Sequence, residues 1–229
     1  MPDTREYVPP LRFRWLTRFY DPVVAAVLPE DRLRRRLITQ AAVEPGQRVL
    51  DLGCGTGSLL VALKAEIPRA RLAGLDADSE ALAIAGRKAA AMGADIDLRQ
   101  GSGTVPPFES ASFDRIVSSL FFHHLSTTDK RLTLAAALRL LRAGGELHLL
   151  DWGAAQSLIM RLAFLPVQIL DGFPTTRDNV SGRLPSMMVE AGFTGVTETH
   201  REKTALGTIS FYRGANPLRK PTTGEGPYG

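Results

Sequence analysis

The stretch Val49-Leu-Asp-Leu-Gly-Cys-Gly-Thr-Gly-Ser-Leu59 decides the fold class of this chain. A short apolar run ends in glycines at positions 53, 55 and 57, and apolar residues at helical spacing follow them. This pattern predicts a buried strand that turns sharply into a helix. Glycine permits a positive φ in such a turn and lets a ligand approach the backbone. Asp51 is near the end of the strand, and we expect it to face the ligand crevice.

Apolar runs and helical patterns alternate on both sides of this loop. Strands are predicted at residues 48–53, 71–76, 95–100, 113–120 and 146–151. Helices are predicted at residues 57–67, 79–92, 129–141 and 180–191, the third capped by Asp129. Residues 195–204 and 207–214 are expected to form an antiparallel hairpin at the edge of the sheet. Strands that alternate with helices predict an α/β domain whose parallel sheet has helices on both faces.

The glycine spacing restricts the ligand that this loop can hold. A phosphate-binding loop needs Gly-Lys-Ser/Thr, and this loop has no lysine. A dinucleotide loop has the spacing G-x-G-x-x-G, whereas here it is G-x-G-x-G, which disfavours an oxidoreductase. S-adenosylmethionine (SAM) has a zwitterionic amino-acid end and no pyrophosphate, so an aspartate in the loop suits it. A tight turn without a ligand is the structural alternative.

Asp76 ends the second predicted strand, 23 residues after Gly53. A carboxylate at this place can accept hydrogen bonds from both hydroxyls of a ribose. Dehydrogenases and methyltransferases share this feature, so Asp76 indicates a nucleoside ligand without choosing between them. A turn or helix-capping residue is the alternative role.

The motifs together resemble the class I SAM-dependent methyltransferases, especially the branch that includes ubiquinone and menaquinone biosynthesis enzymes. The stretches that carry the resemblance are FRWLTRFYD (13–21), VLDLGCGTG (49–57), GLDAD (74–78), FESASFDRIVSSLFFHHL (108–125) and LRAGGELHLLDWG (141–153). The chain departs from the family at Gln100-Gly-Ser-Gly-Thr104, where many members have an acid that binds the adenine amino group. Ser102 is a weaker acceptor than a carboxylate at that place.

The resemblance implies a Rossmann-like seven-stranded sheet, mostly parallel, whose last strand is antiparallel. It implies SAM as the cofactor, with Asp51 and the three loop glycines at the methionine end, and Asp76 at the ribose. The residues that it assigns to the cofactor are Tyr20, Asp51, Gly53, Gly55, Gly57, Asp76, Ala77, Gly101, Ser102, Gly103, Ser118, Ser119 and Leu120.

Candidate catalytic residues follow the fourth and fifth strands, at the edge where ligands bind parallel sheets. His123 and His124 are candidate general bases, and Asp151 is an alternative base or orienting group. Packing histidines and a loop-capping aspartate are the structural alternatives. Methyl transfer from a sulfonium needs no metal in principle, and we predict none.

The apolar residues 156–170 and the polar stretch 171–179 are predicted to belong to a substrate lid, an insert at about 154–190. Trp152, Phe173, Arg177 and Met187 are the candidate substrate contacts. An apolar lid favours a small apolar or aromatic acceptor, methylated on oxygen or carbon, and quinone-like. The same side chains also suit a plain hydrophobic core. A phospholipid or other amine N-methyltransferase at a membrane surface, and a non-catalytic SAM-binding protein, remain alternatives.

Composition and termini complete these expectations. Of 229 residues, 44% are hydrophobic and one is cysteine, which fits a globular protein in a reducing cytoplasm. The net charge of +4, with basic clusters in residues 12–18 and 32–36, is compatible with contact to an anionic membrane. A nucleic-acid substrate is disfavoured, because Ser118-Ser-Leu-Phe121 stands where base methyltransferases have Asn/Asp-Pro-Pro-Tyr/Phe. The sequence leaves the oligomeric state open.

The chain is expected to divide into three parts. Residues 1–30 would form a helical segment over the cofactor site, and residues 31–215 the SAM-dependent domain. The tail 216–229 is rich in proline, glycine and threonine, so we expect it to be disordered.

Overall fold

The computed structural model of the protein describes residues 28–218, in which seven strands form one sheet. The strands are β1 (Arg48–Leu52), β2 (Arg71–Asp76), β3 (Ile96–Gln100), β4 (Phe113–Ser119), β5 (Leu141–Trp152), β6 (Thr194–Thr204) and β7 (Gly207–Ala215). Their order across the sheet is β3-β2-β1-β4-β5-β7-β6. Strands β1 to β5 pair in parallel, and β7 is antiparallel to both β5 and β6. The predicted seven-stranded sheet with an antiparallel last strand is confirmed.

Eight α-helices accompany the sheet in this part of the chain. They are α1 (Glu30–Ala41), α2 (Ser58–Glu66), α3 (Ser79–Ala91), α4 (Thr127–Leu140), α5 (Leu158–Ala163), α6 (Leu165–Asp171), α7 (Phe173–Val180) and α8 (Leu184–Glu190). A short 3₁₀ turn at Phe122–His124 follows β4. Buried apolar residues form two clusters, in accordance with the predicted helices on both faces.

Local chemistry explains where two of these helices begin. The Asp78 carboxylate accepts hydrogen bonds from the backbone N–H groups of Glu80 and Ala81, so it caps α3. Ser126 caps α4 by accepting from the N–H of Asp129. The prediction that Asp129 caps this helix is therefore wrong, because the serine three residues earlier is already in the capping position.

The segment after β5 differs most from the sequence prediction. The helix expected at 180–191 is α8, which begins four residues later at Leu184. The predicted polar stretch 171–179 lies largely in α7, and Gly182 with φ +69° separates these two helices. Pro185 lies in the first turn of α8, where a missing N–H costs nothing. The hydrophobic pattern extends across this break, so the sequence pattern does not indicate a helix boundary there.

His148 lies within β5 and is fully buried. Burial, followed by the charges of Arg115 and Arg213, lowers the pKa of His148 to about 3. The imidazole is therefore neutral at physiological pH and acts as a core side chain.

Both predicted terminal segments fall largely outside the described residues. This applies to residues 1–27, including Tyr20, and to residues 219–229. Of the expected disordered tail, residues 216–218 are described, and the Asn216 side chain donates to the carbonyl oxygen of Leu141 at 2.8 Å. No helix within residues 28–218 has the length and hydropathy needed to cross a bilayer.

Candidate functional site

The three glycines after β1 have different surroundings, although all have a positive φ. A Cβ on Gly53 would lie 2.3 Å from the Phe121 ring, and one on Gly57 would lie 2.8 Å from the Cβ of Ala85 in α3. A Cβ on Gly55 would meet nothing within 4 Å. Gly53 and Gly57 therefore permit close packing, whereas Gly55 leaves the backbone open to a ligand.

Two carboxylates flank this loop. Asp76, at the end of β2, accepts hydrogen bonds from the backbone N–H of Gly55 at 2.7 Å and of Asp78 at 2.9 Å. Asp51 is 1% exposed, and neither of its carboxylate oxygens has a hydrogen-bond partner among the described residues. Burial, followed by the charge of Asp76, raises the pKa of Asp51 from 3.8 to about 8. A buried carboxylate of this kind lacks a cationic or donor partner.

Asp51, Gly55 and Asp76 line a cleft of about 1870 Å³ at the carboxyl ends of the parallel strands. Parallel sheets bind ligands at this edge, beside the point where the strand order reverses. Here that point lies between β1 and β4, which are neighbours in the sheet. The cleft therefore has the position expected of a nucleoside site.

Most of the predicted cofactor residues line this cleft. They are Asp51, Gly53, Gly55, Asp76, Ala77, Gly101, Ser102, Gly103, Ser119 and Leu120. Gly57 and Ser118 do not line it: Gly57 packs on α3, and the Ser118 hydroxyl donates to the carbonyl of Leu52 at 2.7 Å inside the sheet. Tyr20 lies outside the described residues.

The predicted catalytic residues form one polar cluster beside the cleft. His123 Nδ1 lies 2.8 Å from Asp151 Oδ1, and the Asn179 amide donates to the same oxygen at 3.1 Å. His123 Nε2 lies 3.7 Å from Asp171 Oδ2. The His124 ring contacts that of His123, with the centroids 3.9 Å apart and the ring planes inclined at 42°. Of these five residues, His124 and Asp171 line the cleft, whereas His123 and Asp151 are buried behind them.

The two histidines have opposite pKa shifts. Burial alone would lower the pKa of His123, but Asp151 and then Asp171 outweigh it and raise that pKa above its usual value. Burial, followed by the charges of His123 and Lys130, holds the pKa of His124 well below its usual value. His124 is therefore a neutral imidazole at the cleft wall, with an unprotonated ring nitrogen, although the lowered pKa makes it a weak base.

Three potential metal ligands occur in the same cluster. His123, His124 and Asp171 each offer one ligand atom, and these atoms lie within 4.8 Å of one another. His123 is held on its other nitrogen by Asp151, as ligating histidines often are. The absence of a metal from the reaction stays a prediction.

The predicted substrate contacts separate into two groups. Phe173 lines the cleft and is 52% exposed. Trp152 packs against the Phe164 ring at 4.8 Å, Met187 is fully buried in the second core cluster, and Arg177 is exposed outside the cleft. The sequence pattern identifies the apolar character of these residues but not the face on which each one lies.

Two residues of α1, Glu30 and Arg34, line the cleft without having been predicted as site residues. They pair with each other, and they are an i, i+4 pair in an ordinary amphipathic pattern. Such a pair does not differ locally from one on any surface helix, so sequence alone gives no signal for it. Ile169 and Leu170 of α6 also line the cleft, and both belong to the predicted substrate lid.

Comparison with known proteins agrees with this geometry. Residues 49–145 match the family model described as a methyltransferase domain. This range begins with the glycine loop, contains both histidines, and ends within β5.

Two curated relatives act in quinone biosynthesis, according to their names. The chain is 34% identical over 121 residues to a demethylmenaquinone methyltransferase of Thermus thermophilus, covering 53% of this chain and 54% of that protein. It is 27% identical over 207 residues to the ubiquinone/menaquinone biosynthesis C-methyltransferase UbiE of Shewanella piezotolerans, covering 79% of this chain and 78% of that one. The match therefore spans about half the length of the first relative and most of the second.

Among solved structures, a putative methyltransferase from Bacillus halodurans has a TM-score of 0.64. The alignment covers 81% of this chain and 99% of that chain at 19% identity. At this identity the likeness shows the fold alone. The matched domain and the curated relatives confirm the resemblance to methyltransferases, and SAM is the cofactor that this resemblance implies.

Proposed function

We propose that this chain, whose residues 49–145 match a methyltransferase domain, transfers a methyl group from SAM to a small apolar or aromatic acceptor. The acceptor is quinone-like, and the methylated atom is oxygen or carbon. One observation carries the proposal: a single cleft joins the glycine loop and its two carboxylates to an apolar wall formed by Ile169, Leu170 and Phe173.

The cleft fits SAM by the chemistry of its polar groups. The unbonded Asp51 carboxylate suits the ammonium of the methionine end, which would restore its ionised form. Asp76 lies beside the open face of Gly55, where its carboxylate suits the two ribose hydroxyls. The sulfonium supplies a methyl group that is already activated for in-line displacement, so the protein's remaining tasks are positioning and proton removal.

Proton removal is assigned to His124. An acceptor hydroxyl or an acidic carbon must lose a proton when it is methylated, and a neutral imidazole at the cleft wall can take it. His123 does not line the cleft, so it acts as a positioning residue, held by Asp151 and in ring contact with His124. The Asn179 amide donates to Asp151 and thereby fixes the orientation of that pair.

The quinone-like acceptor is supported by the apolar wall of α6 and α7 and by the names of the two curated relatives. A flat aromatic ring has no charge for the wall to solvate, which suits the side chains of Ile169, Leu170 and Phe173. Three of the predicted substrate contacts, Trp152, Arg177 and Met187, do not line the cleft. Their positions do not favour direct contact with the substrate, which stays a prediction.

A transfer assay with methyl-labelled SAM tests the proposal. The acceptors are a reduced demethylated naphthoquinone, a reduced benzoquinone, phosphatidylethanolamine in detergent and a blank. We expect label in a quinol product and stoichiometric S-adenosylhomocysteine (SAH). Label in the phospholipid alone would replace the proposal by amine N-methylation, and SAH binding without transfer to any acceptor would favour a non-catalytic SAM-binding protein.

A matched pair of variants assigns the proton acceptor in the same assay. His124→Gln removes the basic nitrogen at the cleft wall, and Gln40→Ala removes the amide that contacts His148 on the far side of β5. We expect the first to lose transfer while it retains SAH binding, and the second to retain both. Transfer at the wild-type rate by His124→Gln would contradict the assignment.

A further inference from the structure

A stripe of exposed apolar side chains runs along α5, α6 and the start of α7. Ten large hydrophobic residues are exposed in the described part of the chain, and five of them fall between positions 158 and 173. These five, which we call the apolar stripe, are Leu158, Ile159, Leu162, Ile169 and Phe173. Leu158 is 83% exposed and Ile159 is 73% exposed. A contiguous cluster of this kind marks an interaction surface, whereas single exposed apolar residues do not.

The opposite face of the same segment is already packed against the protein. Phe164 and Val167 are buried in the first core cluster, and Phe164 lies against the β6–β7 turn at Gly207. The segment therefore has apolar side chains on both faces, together with the buried polar residues Gln168 and Asp171. A helical segment of that composition needs an apolar neighbour on its outer face as well as on its inner one.

Within residues 155–177, the charges at the surface are positive. Between residues 155 and 177 the charged residues are Arg161, Asp171 and Arg177. Asp171 is buried, whereas Arg177 is exposed and Arg161 is half-buried. Apolar side chains flanked by arginines match the acyl and anionic headgroup layers of a bilayer.

The apolar stripe is continuous with the mouth of the cleft. Ile169 and Phe173 belong to both: they are exposed on the outer surface and they line the cleft. A molecule dissolved in the acyl layer would meet these two side chains before it reached His124. The surface therefore joins an apolar exterior to the interior of the site, whose wall at this point also contains Asp171.

We propose that the apolar stripe docks the protein on the surface of an anionic lipid bilayer, with the cleft mouth facing the membrane. The docking itself is independent of the proposed reaction. A second consequence, that the acceptor enters from the bilayer between Ile169 and Phe173, rests on the proposed function.

Vesicle co-sedimentation of the full-length chain tests the docking, without SAM or acceptor. The probes are vesicles of phosphatidylcholine with increasing phosphatidylglycerol, at low and high salt. We expect binding that increases with phosphatidylglycerol and decreases with salt. The double variant Leu158→Gln/Leu162→Gln, which leaves the cleft unaltered, is expected to bind about tenfold or more weakly.

The matched control is Met92→Gln/Val189→Gln, which removes two exposed apolar side chains from other helices. We expect it to bind vesicles like the wild type, and both double variants to bind SAH like the wild type. No binding of the wild type to anionic vesicles, or equal binding by the two double variants, would overturn the proposal. Wild-type dimers that dissociate in the Leu158/Leu162 variant, with no vesicle binding, would instead identify a second copy of the chain as the occupant.

The two proposals fail separately in these experiments. Vesicle binding without methyl transfer to any acceptor would leave the docking in place and remove the proposed function. Methyl transfer to a quinol without vesicle binding would support the proposed function and remove the docking.

Discussion

Replacing Asp51 with asparagine separates the stability of the unliganded protein from its affinity for SAM. The folded protein raises the pKa of Asp51 from 3.8 to about 8. Between these two values the folded state holds a proton that the unfolded chain has released. The free energy of unfolding therefore decreases, through this group, as the pH rises from about 4 to about 8.

The size of the effect follows from the same two pKa values. At 1.36 kcal/mol per pH unit, Asp51 destabilises the unliganded protein at pH 7 by about 4 kcal/mol relative to a neutral isostere. A buried amide without partners itself costs about 1–3 kcal/mol. We therefore expect Asp51→Asn to raise the free energy of unfolding at pH 7 by roughly 1–3 kcal/mol, and to gain less at pH 5.

Binding is expected to change in the opposite direction. A hydrogen bond to a charged group contributes about 1.5–3 kcal/mol, so the variant should bind SAH roughly 10- to 100-fold more weakly at pH 8. The wild-type affinity should increase from pH 6 to pH 8 as Asp51 ionises, whereas that of the variant should not. Urea unfolding and calorimetric titration measure the two quantities. A variant that is less stable at pH 7 and binds SAH like the wild type would refute the reasoning.

The other predictions concern the loop, the ribose and the proton. Gly55→Val should abolish SAH binding because its side chain would enter the cleft, whereas Gly93→Val, with a similar positive φ and open surroundings, should bind normally; equal loss in both would contradict the assignment. Asp76→Ala should weaken SAH binding by about 1.5–3 kcal/mol, and unchanged affinity would move the ribose site elsewhere. His124→Ala should reduce turnover about 10²- to 10⁴-fold with SAH affinity retained; wild-type turnover in this variant and in His123→Ala would end the general-base hypothesis. Dialysis against EDTA should leave turnover unchanged, and a loss that zinc restores would show that the reaction needs a metal.

The sheet could be predicted from sequence because its parallel strands are buried on both faces. Residues 48–53 and 71–76 are short apolar runs that end at a glycine and an aspartate, so each strand and its terminal carboxylate are visible locally. The segment after β5 has no such signal. Its apolar residues occur on both faces, and the boundary between α7 and α8 depends on the backbone at Gly182 rather than on a change in pattern.

The same distinction applies to the site. Asp51, Gly55 and Asp76 could be placed at the cleft, because the loop motif fixes them relative to the strand ends. The different roles of His123 and His124 could not, because adjacent residues in a 3₁₀ turn have the same local sequence but different depths. Only the packing of α7 on this turn shows which ring is buried behind the other.

Calorimetric titration with SAH, with NAD as the control ligand, tests the central claim most directly. The account predicts micromolar affinity for SAH and no binding of NAD, because the loop places a buried carboxylate where a pyrophosphate would need donors. Binding of NAD alone would contradict the account and assign the glycine loop to a dinucleotide.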